Sequence, residues 1–110
     1  MDRRFFRLQQ FLGGYLNEGW PYVHGTPERA VETAIDECPI ELRQQVRREL
    51  HAVLSEVTDD KEFLEVLNLG LGVNVHFKRP EEARTFAEGV EAKLMRSIKE
   101  HFGNAIDSRG

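Results

Sequence analysis

Cysteine is almost missing from this chain. Cys38 stands alone, which excludes an internal disulfide and fits a reducing compartment. Long apolar runs are missing too. Nothing approaches the 18 or so apolar residues that roughly span a bilayer, and no uninterrupted apolar stretch follows the N-terminal arginines. A signal peptide is therefore not expected, and the expected location is cytoplasmic. A positive excess is absent: the formal net charge is −4, the opposite sign to a typical nucleic-acid binder. Site chemistry is equally sparse. His24, His51, His76 and His101 have no metal-ligand spacing with each other or with Cys38. His101 falls in phase with the apolar face of the last predicted helix, where a core-edge histidine is expected. Cys38 has no nearby base and reads as a buried structural thiol. Gly70-Leu71-Gly72 follows no strand and precedes no phosphate-binding residues, so it is no nucleotide loop. Catalytic residues, cofactors and metals are therefore not expected, and a small enzyme is the weakest reading.

What is there describes one soluble domain covering residues 1–110, with 40% hydrophobic and 31% charged residues. The charge is uneven. Residues 26–62 hold five basic and ten acidic side chains, a balance of −5, while residues 63–110 hold seven of each. An acidic middle suits a basic partner.

Apolar residues recur with helical phase. Phe5, Leu8, Phe11, Leu12, Tyr15 and Leu16 share one arc and predict a first helix over about 3–17. The phase survives Gly13 and Gly14, so the helix is expected to run through them. Each glycine costs about 1 kcal/mol relative to alanine there. Close approach of another backbone would offset that; alternatively Gly13 is a helix cap followed by a short turn. Trp20 precedes Pro21, is pushed toward an extended conformation, and is expected to lie across the first helix, over its glycines. Thr26 and Pro27 begin a second helix as cap and first residue. Leu42, Val46, Leu50, Val53, Leu54 and Val57 mark a third over about 39–57. Asp59 and Glu62 open a fourth, capping-box fashion. Its apolar residues Phe63, Leu64, Val66, Leu67 and Leu69 point nearly all round and predict central burial. Val73, Val75 and Phe77 alternate with Asn74, His76 and Lys78, a short extended segment that is either a loop crossing the helices or an edge strand. A last helix starts near Pro80 and is expected to stop at Gly103. The expected fold is all-α, four to five packed helices with at most one extended segment near 73–77.

Three features exceed what a core needs. Glu28, Glu32 and Asp36 repeat at spacing four, and Glu37 and Glu41 extend them. Like charges at that spacing cost a few tenths of a kcal/mol each, so this stripe is a candidate partner-binding surface. Trp20 and Tyr22 place aromatics on a connector, and Tyr22, Asn74 and His76 form a second candidate patch. The glycine pair is the third feature.

The order of motifs in residues 5–95 resembles immunity proteins of bacterial contact-dependent growth inhibition systems. In those proteins an apolar helix runs into Gly-Gly-Tyr, here Gly13-Gly14-Tyr15, and a Trp follows, here Trp20. A Gly-[Ser/Thr]-Pro-Glu-x-Ala helix start comes next, here Gly25-Thr26-Pro27-Glu28-Arg29-Ala30. A charged amphipathic helix, a short apolar helix ending in Leu-Gly (Leu69-Gly70 or Leu71-Gly72) and a terminal amphipathic helix complete the pattern. The resemblance implies a cytoplasmic protein that binds and blocks the C-terminal toxin domain of a contact-delivered effector, often a nuclease, without binding nucleic acid or membrane and monomeric when free. The alternative is a small non-enzymatic adaptor or interaction module with another protein partner, which explains everything except the motif order.

Overall fold

The computed structural model describes residues 3–107. A 3-10 turn over Arg3–Phe5 leads into α1 (Phe6–Tyr15), which runs straight through Gly13 and Gly14. The connector then closes into a helix of its own, α2 (Trp20–Val23), so there are six α-helices among the described residues. Trp20 is thus helical, not extended. The Asn17 carboxamide oxygen accepts from the Gly19 N–H at 2.9 Å, and the Trp20 N–H donates to the Asn17 carbonyl at 3.1 Å. Pro21 sits in the first turn, where its missing N–H costs no helical bond.

α3 (Pro27–Glu37) starts as its sequence dictates, with the Thr26 hydroxyl accepting from the Arg29 N–H at 3.1 Å. α4 (Ile40–Glu56) buries Val46, Leu50 and Val53 against α1 and α6. α5 (Asp60–Glu65) is capped by Asp59, which accepts from the Glu62 N–H at 3.0 Å. It continues as a π-helical turn over Val66–Gly70, closed by the Leu71 N–H on the Val66 carbonyl at 2.8 Å. This wider turn departs from the expected all-round burial. Phe63, Leu67 and Leu71 are fully buried, but Leu69 is 83% exposed.

Among the described residues there is no strand; residues 73–77 form a loop crossing the helices. Their alternation is real but is held by helices. The Asn74 N–H donates to the Leu16 carbonyl at 2.7 Å, and the Asn68 amide donates to the Val73 and Val75 carbonyls at 2.7 and 3.1 Å. α6 (Pro80–Asp107) passes Gly103 without stopping. Among the residues whose burial is described, Leu94 is its last buried one, and His101 is exposed and stacks edge-on with Phe102 rather than meeting the core.

The glycine question resolves at Gly13. A Cβ there would stand 2.8 Å from the Leu71 carbonyl oxygen, and Gly72, at φ +71°, lies against the same spot. The backbone of residues 71–72, not Trp20, covers this face. Gly14 is open.

Three buried or half-buried charged side chains serve as caps from other elements. Glu49 of α4 is buried and accepts from the Leu8 N–H, in the first turn of α1, at 2.9 Å. Gln45 donates to its other oxygen at 2.7 Å. Arg43 donates to the Cys38 carbonyl at the end of α3 at 2.7 Å and to Ser97 of α6 at 2.8 Å. Arg84 of α6 serves the end of α4. Each has the sign the helix end favours: carboxylate at an N-terminus, guanidinium at a C-terminus. Glu49→Ala leaves a buried N–H without its acceptor and is expected to cost about 1–3 kcal/mol. Glu49→Gln keeps a carbonyl acceptor and should cost less. Equal urea midpoints for the two variants would show that the cap carries no weight.

Candidate functional site

α3 presents two faces. Ala30, Val31, Ala34 and Ile35 are buried, so the positions between them must face outward. Glu28, Glu32 and Asp36 are exposed and fall on one flank, successive members one turn apart. They do not stand on an open face. α6 runs alongside, and the stripe forms one wall of a groove between the two helices. One cleft, of about 250 Å³, is lined by Glu28, Val31, Phe86, Gly89 and Val90, among others. The adjoining one, of about 320 Å³, is lined by Glu32, Asp36, Arg96, Ser97 and Glu100, among others. Lys93 borders both, and its ammonium lies 3.6 Å from the Glu32 carboxylate. Both partners are substantially exposed, so the pair contributes ~0–1 kcal/mol. Glu28 and Asp36 have no ion pair among the described residues.

Glu37 and Glu41 do not join that groove. Glu37 accepts a short hydrogen bond from the Tyr15 hydroxyl. That bond, aided by burial and by the carboxylate's charge, pushes the Tyr15 phenol up to about 12. Tyr15 and Glu37 line a separate cleft of about 200 Å³ between α1, α3 and α4, floored by Phe11, Ala34 and Val46. Cys38 also borders it and is half-buried; burial raises its thiol pKa, with Arg43 opposing. Glu41 is exposed in the first turn of α4.

The connector residues lie elsewhere. Tyr22 is 94% exposed. His76 is exposed, as is the Asn74 side chain. The Asn74 backbone is structural, because its carbonyl accepts from the Trp20 indole at 2.6 Å. Near Asn74, Leu69 borders an open cleft with Asn17, Gly19 and Gly72. So of the eight candidate residues Glu28, Glu32 and Asp36 share the groove, Glu37 lines the small apolar cleft, and Glu41, Tyr22, Asn74 and His76 are exposed outside both. Lys93, Arg96 and Gly89 were not singled out from sequence. The available signal was their position on the last helix, flanking its apolar residues Val90 and Leu94.

Among the described residues, no group of three His, Cys, Asp or Glu side chains could hold a metal ion. Among them, no helix is long and apolar enough to cross a membrane. The profile of one protein family, CdiI immunity protein, matches residues 4–94, most of the chain. The chain belongs to the CdiI immunity protein family. No curated protein and no solved structure matches it significantly.

Membership makes this an immunity protein against a toxin of contact-dependent growth inhibition. Some of the residues that carried the resemblance are scaffold in this CdiI protein. Gly13 and Gly72 touch through their backbones, Trp20 pins the 73–77 loop, and Thr26 caps α3.

Proposed function

We propose that this protein binds the C-terminal toxin domain of its cognate effector in the cytoplasm. In this reading the toxin is a nuclease, and the immunity protein blocks its substrate groove as a non-catalytic, monomeric inhibitor that contacts neither nucleic acid nor membrane. The observation carrying the reading is the family match over residues 4–94. The nuclease and the occlusion rest on charge. A nuclease groove is built for phosphates, and exposed carboxylates at Glu28, Glu32, Asp36, Glu37 and Glu41 offer it the same sign. Tyr22, Asn74 and His76 are exposed as well and offer the toxin further aromatic and polar contacts. Charge complementarity of this kind speeds association and sets specificity more than it sets affinity.

The test is association kinetics with the purified toxin domain encoded beside this protein, alongside inhibition of its nuclease activity. Reversing Glu28 and Asp36 to lysine changes two carboxylates without internal ion pairs, so the thermal melt should fall only slightly, through the charge at Glu28 in the first turn of α3. Association should slow several-fold at low salt. Wild type and variant should converge as the screening length falls from ~10 Å toward ~3 Å near 1 M salt. Equal rates at both salts would leave the stripe a solvated face. Failure of the wild type to bind or inhibit the toxin would sink the reading itself.

A further inference from the structure

Gly89 lies inside α6, where glycine weakens a helix by roughly 0.5–1 kcal/mol relative to alanine. At Gly13 the same cost has an internal reason: a backbone passes within reach. At Gly89, as at Gly14 and Gly103, it has none, since a Cβ there would meet nothing within 4 Å; of these three, Gly89 is the one that lines a cleft described above. The space above it is the apolar part of the α3–α6 groove, with Val31 and Val90 at its base and half-buried Phe86 beside them. Along the whole groove four carboxylates, Glu28, Glu32, Asp36 and Glu100, face two cations, Lys93 and Arg96. Glu28 and Asp36 are eight residues apart on α3, a rise of about 12 Å.

We infer that this groove is the seat of one segment of the toxin domain. Its chemistry follows from the walls: an apolar side chain lodged over Gly89, flanked by lysines or arginines about 12 Å apart that meet Glu28 and Asp36. The spacing corresponds to roughly two turns of a helix or four residues of a strand. Glu32 is held by Lys93 in the free protein and becomes a third acceptor if that exposed pair opens. Glycine keeps the groove wide enough for the incoming side chain, and its cost to the helix is offset on binding. This assignment rests on the immunity reading, and it places the anchor contact in the α3–α6 groove rather than at Tyr22 or in the Tyr15–Glu37 cleft.

The experiment compares wild type, Gly89→Ala and Gly89→Trp against the purified toxin domain by calorimetry, with a thermal melt of each. Both substitutions enter open space on a helix, so neither should lower the melt, and G89A should raise it. G89A should stay within a few-fold of wild-type affinity, whereas G89W fills the groove and should lose tenfold or more. Hydrogen exchange on the unmodified protein supplies a reading independent of folding defects: amides of residues 27–37 and 85–97 should slow when the toxin domain is added. Wild-type affinity in G89W, or slowing confined to other segments, overturns the groove assignment while leaving toxin binding intact. Absence of any wild-type binding instead removes the immunity reading on which it rests.

Discussion

Gly13→Leu is expected to abolish cooperative unfolding, whereas Gly14→Ala, one residue along the same helix, is expected to raise stability by about 0.5–1 kcal/mol. The two glycines are adjacent and both helical, so local propensity treats them alike. Their surroundings do not. A Cβ on Gly13 would press to 2.8 Å on the Leu71 carbonyl oxygen, which is backbone and cannot rotate away. Residues 71–73 are themselves tied down, Leu71 to Val66 and Val73 to Leu67, and Gly72 holds a left-handed conformation at φ +71° that a larger residue would resist. Even Gly13→Ala should cost about 1–3 kcal/mol as overpacking, and leucine adds three more carbons to the same gap. Gly14 meets nothing within 4 Å and is exposed, so alanine there gains helix propensity without a clash. Urea denaturation of G13A, G13L and G14A decides the matter. A G13A midpoint at or above that of wild type would show that α1 and the 71–72 turn do not approach as described.

Arg84→Ala is expected to cost about 2–4 kcal/mol, and Arg84→Lys should recover less than half of it. The Arg84 guanidinium donates to the Asp60 carboxylate at 2.7 Å, to the Leu54 carbonyl at 3.2 Å and, by a short bond, to the Val57 carbonyl. It also lies 4.7 Å from the centre of the fully buried Phe63 ring. One planar group therefore closes the end of α4, joins the start of α5 and ties both to α6. Helix ends leave carbonyls without intrahelical partners, and here a distant residue supplies them. At 21% side-chain exposure some solvent screening remains, which keeps the cost below the sum of its bonds. Lysine retains the charge but not the fork that reaches three acceptors at once. The measurement is urea denaturation, joined to hydrogen exchange at residues 54–60, which should accelerate in R84A. A lysine variant as stable as wild type would mean that charge alone matters and the geometry does not.

Helices whose burial is one-sided are legible in the chain before any packing is known. α3 announces its start in Thr26 and Pro27, and α4 carries an unbroken apolar phase, because cap chemistry and amphipathic period are local properties that tertiary contacts here only confirm. The motif order also pointed to the family, and within it Gly13, Trp20 and Thr26 make scaffold contacts. The acidic stripe on α3 was legible for the same reason: spacing four fixes a shared flank before anything packs.

Whatever depends on a neighbour from elsewhere in the chain is set by packing instead. Trp20 is helical despite the proline after it because the 73–77 loop receives its indole. Leu69 is turned outward by a π-turn that no apolar count reveals. Gly103 lets α6 continue, since a glycine ends a helix only when the chain adopts a terminating conformation there, and at this position it does not. Which glycine is packed, which is open, and that Lys93 of α6 borders the carboxylates of α3 are facts about the distance between helices. Periodicity tells a residue which side of its own helix it occupies; only the packing of one helix on another says what stands opposite.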